Sequence, residues 1–232
     1  MTHSPTRSRA FSLVELVVVI AVLAILAAFS VPAVTSMLQG SSLTQASQML
    51  VDQMNLARQF ALSKNATVEV RFYRYSDPDT PGEDVTKPEK GRFRALQVFE
   101  VLSSGAALPL GKVEEMPLSV MIGSDPENPE ESVSTIIDRK LSAIVTADEV
   151  RNDKSAVELP RGIKKQYDYV SFRFLPDGST TLGPASQWYI TLHGSNDKPE
   201  KVDGKQRPPA NFFTLQIDPV SGTTKIYRPM AG

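Results

Sequence analysis

The order of apolar and polar positions divides the chain into three stretches. From Leu16 to Val34 apolar residues follow one another, with only Ser30 and Pro32 interrupting. Such a run has no polar face and predicts a helix with apolar surroundings on every side. Beyond Pro32 the apolar density falls. Leu43, Ala46, Leu50, Met54, Ala57 and Ala61 then recur at spacings of three and four, with Met49 and Phe60 beside them. That is one stripe of an amphipathic helix, and core packing is its expected use. A helix running from Phe11 to about Lys64 would be roughly 80 Å long at 1.5 Å per residue. Pro32 lacks an N–H donor and clashes within a helix, which predicts a kink or local melting. Gly40-Ser41-Ser42 weakens the helix without having to end it.

The third stretch changes period. Thr67 to Tyr75 alternates every second residue and is rich in aromatic and β-branched side chains, so it predicts a strand. Arg92–Leu102, Tyr169–Leu175, Gln187–His193, Asn211–Ile217 and Thr223–Tyr227 predict further strands. Val113–Ile122 predicts another, broken by Pro117. Ser132–Ala143 predicts a short helix, because Val133, Ile136, Ile137 and Leu141 share a face. Ser76–Lys90 and Asp125–Glu131 read as acidic, proline-containing loops, and Gly194–Pro209 as a polar loop. Pro176-Asp177-Gly178 and Asp218-Pro219-Val220-Ser221-Gly222 read as turns. No internal repeat is present.

Composition narrows the classes. The 232 residues leave room for one medium domain, or two small ones, beyond the apolar run. A net charge of −1 gives no general polyanion signal. The absence of cysteine excludes a disulfide scaffold, thiolate metal sites and cysteine catalysis.

Charge matters most at the N-terminus. Arg7 and Arg9 precede the apolar run, and Glu15 breaks it near its start. The 14 residues of Leu, Ile, Val or Phe between Phe11 and Val31 favour membrane insertion by about 4–8 kcal/mol in sum. One acid opposes this by roughly 2.5–3.5 kcal/mol at a helix centre and by less near the membrane edge. Insertion is therefore expected, with the basic N-terminus in the cytoplasm and the remainder outside. Three readings compete. A cleaved secretory signal fits the charged start and Ala27, Ala28 and Ala33, but not the length or the acid. A plain anchor fits the length and leaves Glu15 unexplained. Cleavage between Ala10 and Phe11 explains both. It makes Glu15 the fifth residue of the mature chain and frees an α-amine that titrates near ~7.7–8.0. That ammonium on one subunit can neutralise the Glu15 carboxylate of a neighbour in lipid.

Residues Arg9–Ile25 resemble the class III signal of type IV pilins and type II secretion pseudopilins. Phe11, Ser12, Leu13, Val14 and Glu15 match that pattern in order, although Ala10 stands where the family usually has glycine. Pro32 falls at the twenty-second mature position, where many members carry proline. Ala57-Arg58 and Ala61-Leu62-Ser63-Lys64-Asn65, followed at once by a strand, resemble the H-type minor pseudopilins and the FimT-like minor pilins. So do Phe174-Leu175-Pro176-Asp177-Gly178-Ser179 with the following Trp-Tyr-Ile-Thr-Leu strand, and Ile217-Asp218-Pro219 with Gly222 and Ile226. The resemblance covers Arg7–Val70 and Asp168–Arg228. YVSFRFLPDGST with WYITLHG is similar to the pilin-like family called Verru/Chthon cassette protein D.

Other chemistry is thinly supported. Beyond residue 10 the only histidine is His193; Ser195 is close by, yet no nucleophile-elbow pattern surrounds any serine. There is no phosphate-binding glycine loop, and zinc lacks ligands. Calcium has weak candidates in Asp77, Asp79, Asp125 and Glu127, with Glu83, Asp84, Glu130 and Glu131 nearby, but without EF-hand spacing. Solvated acidic loops are the simpler reading. Nucleic acid would need clustered cations. Lys198, Lys201, Lys205 and Arg207 are nearly cancelled by Asp197, Glu200 and Asp203, and Arg161, Lys164 and Lys165 form a second small group.

The expectation is an α+β protein. Residues 1–10 are a leader, 11–34 a transmembrane or filament-core helix, 35–66 an amphipathic helix, and 67–232 a β-rich head with an insertion at about 76–165. The resemblance implies a structural, non-enzymatic filament subunit in the inner (cytoplasmic) membrane with an extracytoplasmic head. Its implied partners are prepilin peptidase, other pilin or pseudopilin subunits, the inner-membrane assembly platform and the lipid bilayer. No cofactor is expected, with calcium, which some pseudopilin relatives use, as the weak exception, and the nearly cancelled charge of the late loop disfavours nucleic acid. The alternatives are an unprocessed single-span binding domain, an anchored hydrolase using His193, and a DNA-uptake minor pilin.

Overall fold

The computed structural model describes residues 12–124, 132–138, 143–153 and 156–229, with backbone alone for 27–37 and 205. One helix, α1 (Leu13–Lys64), opens the chain and continues through position 32. It ends where the strand pattern begins. Asn65 takes a left-handed φ of 51°, and the Ala66 N–H reaches back to the Ala61 carbonyl at 3.2 Å, a Schellman-type stop. The chain divides into two units between Gly40 and Ser41.

In the first unit every described side chain from Ser12 to Leu26 is exposed. In the second, the stripe Leu43, Ala46, Leu50, Met54, Ala57 and Ala61 is buried, as its spacing predicts. Two antiparallel sheets supply the opposing surface. The first contains β1 (Thr67–Tyr75), β2 (Arg92–Val101), β3 (Ala107–Pro109), β4 (Glu114–Glu115), β6 (Ile144–Val145) and β7 (Asp168–Phe174), in the order β3-β2-β1-β7-β6 with β4 also on β2. The second contains β5 (Val120–Ile122), β8 (Trp188–Gly194), β11 (Phe212–Ile217) and β12 (Thr224–Tyr227), in the order β12-β11-β8-β5. Val68, Val70 and Phe72 from one sheet and Ile190, Leu192 and Leu215 from the other share one core with the helix stripe. This is an α+β head with antiparallel sheets, as the period change at Thr67 predicts.

The first sheet is buried on both faces. Tyr73, Tyr75 and Ala95 point away from the helix into a second core with Val150, Leu159, Ile163 and Tyr167. The covering segment includes a short helix, α2 (Ala147–Asn152), started by a Thr146–Glu149 capping box.

Three local expectations need correction. Val113–Ile122 is not one strand: Pro117 separates β4, which pairs with β2, from β5, which pairs with β8 in the other sheet. Proline cannot donate to a ladder, so the chain changes sheets there. Ser132–Ala143 contains a 3-10 turn at Thr135–Ile137 rather than an α-helix, with 139–142 outside the described residues. Ile136 and Ile137 are buried, but the Thr135 hydroxyl and the Tyr189 backbone bond to each other, holding the segment to β8 instead. Gly194–Pro209 is not merely a loop, since it contains the hairpin β9 (Glu200–Val202) and β10 (Lys205–Arg207). Asp203 and Gly204 both have positive φ, 51° and 74°, the requirement of a two-residue type I′ turn.

Candidate functional site

The helix start forms a compact polar motif. Ser12 caps α1, with Glu15 at the third helical position. The Ser12 N–H donates to Glu15 Oε2 at 3.0 Å, and the Glu15 N–H donates to Ser12 Oγ at 3.2 Å. These reciprocal bonds make a capping box and satisfy two donors that a helix start leaves open. The Leu16 N–H donates to the Ser12 carbonyl at 3.2 Å, closing the first turn. Both capping residues are exposed. Sequence reading singled out the acid but missed the serine, although S-x-x-E before an apolar run is the signature of this cap.

Cleavage between Ala10 and Phe11 would leave the Phe11–Ser12 amide intact. The capping box is therefore compatible with both the uncut and the cut chain. Ala10, Phe11, Arg7 and Arg9 lie outside the described residues, as does the side chain of Pro32. After Glu15 the helix is apolar on every side to Leu26, and Leu13 alone is 78% exposed. An all-round apolar helix needs lipid or protein around it. Among the described residues no helix is long and apolar enough to cross a membrane. The side chains described from Leu13 to Leu26 account for about 21 Å of helix, against a hydrocarbon core of ~30 Å.

The three head segments that carry the family resemblance meet in space. Arg58 Nε, on α1, donates to the Ser221 carbonyl at 3.1 Å. The Thr180 N–H and hydroxyl both reach the Pro219 carbonyl, at 2.9 and 3.0 Å. Gly222 has a φ of 64°, and a Cβ there would strike the Gly178 carbonyl and stand 3.3 Å from Arg58 Nε. These turn residues lock the β7 and β11–β12 turns onto α1, which is a structural task.

The other candidates separate. Asp77 and Asp79 carry arginine partners: Arg161 Nη2 lies 3.0 Å from Asp77 Oδ2, and Arg161 Nη1 lies 3.3 Å from Asp79 Oδ2. Arg94 lies 3.5 Å from Asp77 and 2.8 Å from Glu83, so the loop after β1 is tied to β2 and to the turn at Arg161 by ion pairs. Asp125 and Glu127 lie outside the described residues. Among the described residues no group of three or more His, Cys, Asp or Glu side chains is placed to hold a metal. His193 is buried. Its Nδ1 bonds the Gly194 carbonyl at 2.8 Å, and neither ring nitrogen meets a serine hydroxyl. Burial lowers its pKa, while Gly194 and Asp197 pull upward. In the β9–β10 hairpin Arg207 sits opposite Glu200, which intermixes the charges instead of clustering cations.

Residues 5–31 match the Prokaryotic N-terminal methylation motif, spanning Arg7, Arg9, Ala10, Phe11 and Glu15. The chain thus carries this motif ahead of an α+β head. No curated protein matches the chain. Among solved structures, the type IV minor pilin FimU of Pseudomonas aeruginosa (strain PAO1) is similar in two crystal forms. Identity is 14% and 15%, TM-scores are 0.39 and 0.38, and 82% of this chain covers 95% and 98% of those. The minor pseudopilin EpsH from the type 2 secretion system of Vibrio cholerae shares 8% identity at a TM-score of 0.40, with 82% of this chain covering 99% of that one. Likeness of that size assigns no role.

Proposed function

We propose that this chain is a structural subunit of a prepilin-type filament, processed after Ala10 by a prepilin peptidase and methylated at Phe11. The observation that carries this reading is the N-terminal methylation motif at residues 5–31 leading into a helix that is apolar on every side. Before assembly, lipid covers that helix. The run from Leu16 to Val34 is long enough to span when read as sequence. The head then lies outside the cytoplasmic membrane. After assembly, the same surface packs against neighbouring subunits on the inner-membrane platform.

Glu15 sets the register. One carboxylate oxygen holds the Ser12 N–H, leaving Oε1 to accept from a neighbour's terminal ammonium. A charge-assisted bond of this kind is about twice as strong as a neutral one. The subunit's role is assembly and display, with no catalytic step and no cofactor. Replacing Glu15 by Ala or Gln tests the role. Both variants should be cleaved and membrane-retained yet missing from sheared filaments. Normal incorporation of either would refute it.

A further inference from the structure

The outer face of the four-stranded sheet carries a cavity of about 450 Å³, inside the ~300–1,000 Å³ range of small-molecule sites. Its floor follows from strand register. Thr191, Thr214 and Tyr227 lie side by side across β8, β11 and β12, and Tyr189 sits opposite Gln216 in the adjoining row. Residues of the other parity, Ile190, Leu192 and Leu215, fill the core. The β9–β10 hairpin supplies Gln206 to the wall. Among the described residues no charged side chain lines this cavity. Asp138 acts on Tyr189 through its charge and Lys225 lies opposite Gln216 in register, but neither is in the lining.

The floor groups are already oriented. Tyr227 donates to Gln216 Oε1 at 2.9 Å, and the Thr191 and Thr214 hydroxyls bond each other at 2.9 Å. A second cavity of about 320 Å³ shares Gln187 and Gln216 with the first and extends the groove toward the Asp218 turn, where Lys225 joins its lining. Asp218 there is engaged with the Val220 and Ser221 N–H groups at 2.9 and 3.1 Å.

We propose that this groove binds a short neutral saccharide. Amides and hydroxyls both donate and accept, which matches sugar hydroxyls that do the same. Two phenol rings add flat amphipathic surface for the sugar's C–H faces. The first cavity argues against an anionic ligand, because among its described residues no cation would offset a desolvated charge. A peptide added as a strand is disfavoured as well. β8 and β11, the centre of the floor, are paired on both sides, so among the described strands a peptide could add only along the outer edge of β12 and not over the groove.

The test uses the full chain in a zwitterionic detergent, since maltoside detergents carry a competing sugar. Titration calorimetry with maltohexaose, cellohexaose and chitohexaose should reveal at least one ligand. Hexagalacturonate and a polyproline decamer serve as the anionic and peptide probes. Tyr227→Ala and Gln216→Ala should each weaken the saccharide about tenfold or more without changing the head's melting temperature. Tyr227 is 49% exposed, so its removal leaves the core intact. The proposal fails if no neutral hexaose binds below about 1 mM. It also fails if both variants bind like the parent, or if hexagalacturonate or polyproline binds more tightly. Incorporation of Tyr227→Ala into filaments is independent of these outcomes, so this result and the assembly role are separately decided.

Discussion

The two halves of α1 are built for different surroundings. From Leu16 to Leu26 the helix is apolar on every side and exposed. From Leu43 to Ala61 only one stripe is apolar, and that stripe is buried under two sheets. The carboxylates follow the same division. Asp168 in the head is buried and has its cation within the chain. Arg74 pairs with Asp168 Oδ2, and the Ala147 N–H donates to Oδ1 at 2.8 Å. Among the described residues Glu15 bonds only the Ser12 cap, with no cation beside it. The described head therefore pairs its buried charge internally, while the exposed apolar surface of the first half of the helix is what the proposed filament role would cover with lipid and other subunits.

The strongest break of this comparison is at the buried pair. Arg74→Ala strands Asp168 without its cation and should cost the head about 3–5 kcal/mol, read by denaturant unfolding. An unchanged midpoint would mean that the pair is not satisfied within the head. Next is the buried stripe: Leu50→Ala should cost about 2–5 kcal/mol through a cavity and lost transfer energy, measured in the same way. Leu23→Asp should behave oppositely. It should leave head unfolding unchanged yet oppose insertion by roughly 2.5–3.5 kcal/mol, visible as loss from the membrane fraction.

Much of this division is legible in sequence, because it rests on local periodicity. The spacing of Leu43 to Ala61 marks the buried stripe, and the alternation from Thr67 to Tyr75 marks β1. Long-range placement is not legible. Pro117 marks a break but not the change of sheets from β4 to β5. The ion pair between Arg161 and Asp77 joins residues 84 apart in the chain, so the acidic loop gave no sign that its carboxylates were matched by arginine. Two further features are local and carry a sequence signature. Asp203-Gly204 is a hairpin dipeptide within a polar stretch, and Ser12 with Glu15 has the S-x-x-E spacing of a capping box.

The smallest expected effect is in the head's acid response. Burial holds the His193 pKa below its ordinary value. The unfolded chain therefore takes up the proton first as pH falls through ~6.5, and stability drops below that point while remaining full above it. The carboxylates with lowered pKa, Asp84, Glu149, Asp177 and Asp218, titrate below the usual carboxylate range and act at lower pH. His193→Phe should flatten the slope of melting temperature between pH 5 and 7. A slope equal to the parent's would assign it to other groups.

The assembly reading is tested most directly by the first residue of the native, membrane-extracted protein. Intact-mass and N-terminal fragment analysis should find a chain that starts at N-methyl-Phe11, with Glu15 as its fifth residue. Native protein that still starts at Met1 would contradict it.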